Sequence, residues 1–175
     1  MTVRMMAAFA FAVAMACVLA PARADDGWVT VTNAAGTFHY ASPVTPKSET
    51  SRGDDGGVGM TQTIFTSVAG GFIEIGDDTT YDPGPHVVDP KLVLNGFVES
   101  IKGQLISSQD EPYVRGPNDT LPGLLASIAN SDVTCHFRVV GDGVRAFALA
   151  ACARAGTDAT ADIDRAMASF TVTKP

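Results

Sequence analysis

Few side chains in this sequence are equipped for chemistry: it carries three cysteines, three histidines and 19 acidic residues. Two of the cysteines close the stretch "CHFRVVGDGVRAFALAAC", from Cys135 to Cys152. A zinc centre wants about four ligands, and two cysteines with His136 fall short of that number. A redox dithiol would more naturally be C-x-x-C. Cys135 and His136 are adjacent, so on a strand they point to opposite faces and cannot form a thiolate–imidazole pair.

His86 lies in "DPGPHVVDP" with Asp82 and Asp89 close by. That grouping raises two possibilities, a carboxylate–histidine metal site or a hydrolase site assembled from loops around His86 with Asp82 or Asp110. The spacing matches no established metal pattern and contains no H-x-x-x-H. Asp89 is also wanted as a helix cap, so a loop-and-cap role for all three is favoured. His39 and His136 sit in expected strands and read as outward or satisfied structural residues. No serine stands in a G-x-S-x-G elbow. The pairs Asp54–Asp55 and Asp77–Asp78 fail as paired acids if extended, because neighbours diverge, and in loops they would be solvated charge. "DDGG" (54–57) lacks the alternating oxygens and closing Glu of a calcium loop, and "RGD" (52–54) and "NDT" (118–120) are short enough to arise by chance. No catalytic, cofactor-binding or metal residue is assigned.

How a thiol is read depends on compartment. Arg4 supplies a basic start, residues 5–20 form an uncharged apolar run, Pro21 breaks it, and Ala22-Arg23-Ala24 gives a small-x-small site before Asp25. This predicts a secretory signal peptide over 1–24, cleaved after Ala24. The run is short of the roughly 20 apolar residues a span needs. Cys17 raises a second reading, a lipid-anchored envelope protein, although "AMAC" lacks the usual Leu three positions earlier. The mature chain, 25–175, is expected to be a single periplasmic or secreted domain without a transmembrane segment. Losing Arg4 and Arg23 takes the formal charge from −7 to −9. Such an acidic chain lacks the footprint of a nucleic-acid binder.

The elements that must position these residues follow from pattern. "WVTVT" (28–32), "NAAG" (33–36) and "TFHYA" (37–41) predict a small hairpin ending before Pro43 and Pro46. "VGMTQTIFTS" (58–67) and "FIEIGDD" (72–78) predict a second, and the Gly/Asp stretch 53–57 reads as a mobile loop. Asp89 caps and Pro90 opens an amphipathic helix running to about Leu105, with Leu94, Phe97, Val98, Ile101 and Leu105 on one face. "LPGLLASIAN" (121–130) leans to strand, and "VTCHFRVV", "GDG", "VRAFALAAC" is the strongest hairpin. Thr157 or Thr160 caps a short helix through Asp164 and Met167, and "SFTVT" (169–173) closes as a strand. The order predicts an α+β fold, a mostly antiparallel sheet with two helices packed on it.

An oxidising compartment with two mature cysteines makes a Cys135–Cys152 disulfide the default. Register leaves the matter open. A three-residue "GDG" turn pairs Cys135 with Leu149 and puts Cys152 on the opposite face. A two-residue turn at Asp142-Gly143 pairs Cys152 with Val133 and leaves the cysteines diagonal, about 7–8 Å apart. That is the edge of the roughly 7 Å limit for a bridge, so a bulge or twist would be needed.

The aromatic hairpin ending in "SPVTP", the long hairpins around a central helix and a terminal helix running into "MASFTV" resemble the PsbP-like and Ran-binding Mog-type α/β fold, in particular its small secreted bacterial members. The likeness spans roughly 37–172 and rests on element order. It implies an accessory, partner-binding role rather than catalysis and transfers no site residue. The expected function is therefore a non-enzymatic extracytoplasmic module that binds an unknown protein or small ligand in the cell envelope, without a cofactor.

Overall fold

The structure is a computed structural model that describes residues 27–174. The expected signal peptide, its cleavage site and Cys17 lie outside the described residues. The first strands are β1 (Val29–Thr32), β2 (Phe38–Ser42), β3 (Lys47–Asp55), β4 (Val58–Ala69) and β5 (Phe72–Tyr81). Helix α1 (Pro90–Ser100) follows, then β6 (Gln104–Asp110), β7 (Tyr113–Gly116), β8 (Asp119–Leu121) and β9 (Gly123–Ala129). The chain finishes with β10 (Val133–Asp142), β11 (Arg145–Arg154), α2 (Thr160–Ser169) and β12 (Thr171–Val172).

This corrects the expected α+β class. Strands take 56% of the described residues and helices 14%. A seven-stranded antiparallel sheet, ordered β3-β4-β5-β11-β10-β9-β6, forms the body. A three-stranded sheet, β1-β2-β12, is laid against one face, and β7-β8 is a separate small ribbon. The fold is β-rich, and its two short helices, of 11 and 10 residues, lie on opposite faces of the large sheet.

Alternation along β11 shows how one sheet serves two cores. Ala146, Ala148, Ala150 and Cys152 face the side of α1, where Val93, Leu94, Phe97, Phe137 and Val139 join them. Phe147, Leu149 and Ala151 face the other side, against Phe38, Tyr40, Ile163, Ala166, Phe170 and Val172. Phe97 stacks on Phe137 with ring centroids 4.8 Å apart. Emptying such a site by Phe→Ala typically costs about 3–5 kcal/mol.

Helix α1 begins as expected and stops earlier. The Asp89 carboxylate accepts from the Lys91 amide at 2.9 Å, and Pro90 sits in the first turn. The expected end near Leu105 is wrong. Lys102 adopts a left-handed conformation, φ 52°, and the amides of Lys102 and Gly103 donate back to the carbonyls of Glu99 and Val98. This closes the last carbonyls and turns the chain. Leu105 therefore lies on β6 and is 45% exposed rather than helical. The caps expected for α2 also differ: neither Thr157 nor Thr160 caps it, and the Asp158 carboxylate accepts from the Thr160 amide at 3.1 Å.

The stretch 53–57, expected to be a mobile loop, is the end of β3 and a tight turn, with Asp55 opposite Val58. The β10–β11 hairpin turns at Gly143-Val144, one position later than the two-residue register and further still from the three-residue one. Asp142 pairs with Arg145, and Gly143 takes φ 62°, as the first residue of a hairpin turn with a glycine start requires. That single shift brings Cys135 directly opposite Cys152.

Candidate functional site

Cys135 and Cys152 are cross-strand partners with Cα atoms 4.0 Å apart, and their sulfurs are bonded. Both are buried in the core beneath α1. The pair staples two neighbouring strands and offers no surface for exchange chemistry.

The loop 82–89 does not gather its three flagged residues into one site. Asp82 is half exposed and lies 3.5 Å from the Arg52 guanidinium. Asp89 is engaged as the cap of α1. His86 leans edge-on against Tyr81, with ring centroids 6.0 Å apart, and its buried Nε2 has no hydrogen-bond partner. Asp110, the other carboxylate weighed for a hydrolase, pairs with Lys91 at 3.2 Å. Among the described residues, no three His, Cys, Asp or Glu side chains stand close enough to hold a metal ion. His39 is satisfied on both ring nitrogens, by Thr32 Oγ1 at 3.0 Å and the Gly36 carbonyl at 2.9 Å.

The acidic groups that matter most are ones sequence reading set aside. On β5, Glu74 is fully buried and Asp77 is 4% exposed. Strand alternation turns them to opposite faces of the large sheet. Asp77 accepts from Thr79 at 2.7 Å and from Gln62 at 3.0 Å. Burial pushes its carboxyl up to about 7, against the pull of those two donors, and the neighbouring charge of Asp78 adds to the rise. Glu74 contacts Ser67 at 3.0 Å. Burial lifts it too to about 7, opposed by hydrogen bonds from Ser42 and Ser67 and reinforced by Asp162. Asp78 diverges from Asp77 as the pattern requires, and meets Asn33 at 2.6 Å and Arg145 at 3.2 Å. Asp77 and Asp55 are thus core residues rather than solvated loop charges, Asp55 being 1% exposed. The signal was present in "FIEIGDD": an alternating apolar strand with acids inside it.

Two of the depressions on the described surface bear on a binding role. One, of about 570 Å³, lies between the β7–β8 ribbon and the C-terminal strand. Its charges are committed to each other: Arg115 holds Asp119 at 2.7 Å and Asp142 at 2.6 Å, and Lys174 reaches Asp119 at 3.1 Å. The Arg115 guanidinium holds the Asp119 carboxyl below the usual carboxylate range. This is a structural clasp.

The other, about 480 Å³, is an open cleft on the large sheet beside α2. Register builds it. Ser107 of β6 lies opposite Ser127 of β9, which lies opposite His136 of β10, giving one polar row across three strands. Gln109, Leu125 and Arg138 form the next row, and Met167 and Ala168 of α2 supply a wall. Arg138 is fixed by its ion pair with Glu111 and by the rings of Tyr113 and Phe170, whose centroids lie 5.8 and 5.6 Å from its guanidinium carbon. His136 is exposed. The cleft presents hydroxyl, imidazole and amide groups over a floor of ordered strands, which suits recognition. The buried carboxylates, which could transfer protons near neutrality, do not line it. Among the described residues, no helix is long and apolar enough to cross a membrane. In comparisons with known proteins, no family model and no curated protein matches the chain.

Proposed function

We propose that the chain is an exported, non-catalytic binding module that engages a partner or small polar ligand of the cell envelope through the cleft beside α2. The observation that carries this reading is the row Ser107–Ser127–His136, set on three hydrogen-bonded strands with Met167 as its wall. Rigid sheet positions hold such groups more precisely than loops do. The resemblance of the element order to the PsbP-like and Mog-type proteins supports the same direction, because it implies interaction rather than catalysis. Export rests on the charge, apolar run and small-residue site of residues 1–24.

A photo-crosslinking residue tests the surface when placed at Ser127 in the cleft and, as a control, at Thr50 on the exposed β3 edge. The expected result is a discrete adduct from position 127 only, lost on His136→Glu. Equal labelling from both positions, or none from 127, defeats the cleft. Mass spectrometry of the mature N-terminus tests export separately: a chain beginning at Asp25 agrees with it, and a retained leader does not.

A further inference from the structure

Strand β6 closes one side of the large sheet, and among the described residues no strand lies beyond it. All seven of its residues are exposed. Three backbone hydrogen bonds fix which of its peptide groups point outward. The Gly141 amide donates to the Pro122 carbonyl and the Asn130 amide to the Val133 carbonyl, so the even-numbered residues of this stretch turn toward β10. The Glu111 amide donates to the Gly123 carbonyl, so the odd-numbered residues turn toward β6. An antiparallel ladder alternates in this way along its length. Ser107 stands opposite Ser127 and Gln109 opposite Leu125, so these two residues of β6 bond to β9. Ser108 and Asp110 alternate with them and hold their N–H and C=O groups out from the sheet.

The two edges of the sheet differ in what guards them. Along β3 stand Lys47, Glu49, Arg52 and Asp54, charges of the kind that discourage strand pairing. β6 has a single charged residue, Asp110, and Lys91 neutralises it at 3.2 Å. Its apolar residues Leu105 and Ile106 are 45% and 64% exposed. Leu105 and Ser107 face successive residues of β9, with Ile106 as an extra residue between them, so the regular part runs only from Ser107 to Asp110. That length receives a short segment and stops a long strand.

A line of backbone donors and acceptors at strand spacing is matched by another extended backbone. A segment antiparallel to β6 exchanges bonds with Ser108 and Asp110 and sets its own side chains opposite Ser107 and Gln109, at the mouth of the cleft beside α2. The charges there are committed, Arg138 to Glu111 and Asp110 to Lys91, so a neutral segment leaves no charge unanswered. A second copy of the chain is disfavoured, because each brings a formal charge of −7. We propose that the partner of this module docks as a short, neutral, extended peptide segment added to β6, a mode that rests on the binding role proposed above.

The test uses the mature, disulfide-bonded protein and short random peptides displayed on phage. Neutral peptides should be retained. Synthetic copies of them should protect the Ser108 and Asp110 amides from exchange, whereas in the protein alone only those of Ser107 and Gln109 are slow. Ser108→Pro removes an outward N–H and no ladder bond. It should weaken peptide binding about tenfold, as expected for one lost hydrogen bond whose partner is left unpaired. Methylating the peptide nitrogens that face β6 should do the same on the wild-type protein, which decides the matter if Ser108→Pro does not fold. Recovery of no peptide, or binding indifferent to both changes, overturns the proposal. A dimer in sedimentation that Ser108→Pro abolishes overturns it in favour of self-pairing. His136→Glu separates the edge from the cleft. A peptide that still protects Ser108 and Asp110 in that variant upholds the edge and counts against the cleft. A ligand that shifts only the Ser127 and His136 resonances upholds the cleft and defeats the edge.

Discussion

The phenol ring of Tyr40 lies over Gly76 so closely that a β-carbon at position 76 would stand 2.7 Å from both its Cε1 and its hydroxyl oxygen. The ring is 1% exposed and packed against Phe38, with centroids 5.4 Å apart, so it has little room to yield. Gly76→Ala should therefore destabilise the fold by about 1–3 kcal/mol through overpacking. Urea denaturation reads the loss. An unchanged midpoint would show that the small sheet shifts freely on the large one.

The same ring carries a buried hydroxyl with no hydrogen-bond partner. A buried polar group left unpaired costs about 1–3 kcal/mol in desolvation. Tyr40→Phe is expected to be neutral or stabilising, by up to about 1 kcal/mol once relaxation is allowed for. A clear loss of stability would mean that the hydroxyl makes a bond elsewhere.

Cys135 and Cys152 enclose a short hairpin, 17 positions apart. In the chain-entropy account, opening such a loop costs about 3 kcal/mol. The double variant Cys135→Ala/Cys152→Ala should lose that much in chemical denaturation. The denatured, unreduced mature chain should show no free thiol from these two positions, and two reactive thiols would remove the staple.

Asp77 gives a pH signature of its own. Its folded carboxyl, raised to about 7 by burial, lies above its unfolded value. Its stabilising contribution is thus present in full below the unfolded value and gone above about pH 7. Asp77→Asn should gain stability relative to wild type as pH rises from 4 to 8. Denaturation midpoints across that range would show a constant difference if Asp77 were ordinary.

The cap of α1 is testable more simply. Asp89→Ala removes the side-chain acceptor for the Lys91 amide, and a loss of about 1 kcal/mol is expected. A loss several times larger would indicate that Asp89 does more than cap.

Where strands carry apolar residues for one core or for both, the elements were legible, as in β2, β4, β5, β10 and β11. Two of the strands that the sequence pattern did not reveal, β3 and β6, lie at the edges of the large sheet and bury almost nothing. Eight of the nine residues of β3, "KSETSRGDD", are exposed, and so are all seven of β6, "QLISSQD". A strand at a sheet edge need not bury anything, so periodicity has nothing to report. Missing these edges made the fold look richer in helix than it is. The Cys135–Cys152 bridge was expected from the cysteine count and compartment, but the register that permits it was not readable: moving the turn by one residue changes every partner along the hairpin. The cleft escaped notice because its members come from three strands whose neighbours only the sheet order defines. Glu74 was hidden by its own company, since an acid between two isoleucines on a strand passes for a solvent-facing residue until something covers it.

The sheet never curls round to meet itself, so its outer strands remain templates for a second molecule. They are blunted differently. The β3 border carries Lys47, Glu49, Arg52 and Asp54, while β6 is interrupted by an irregular step between Leu105 and Ser107. A concentrated solution of this protein should therefore stay clear. Smoothing β6 and neutralising β3 together would be a direct route to turning it into fibres.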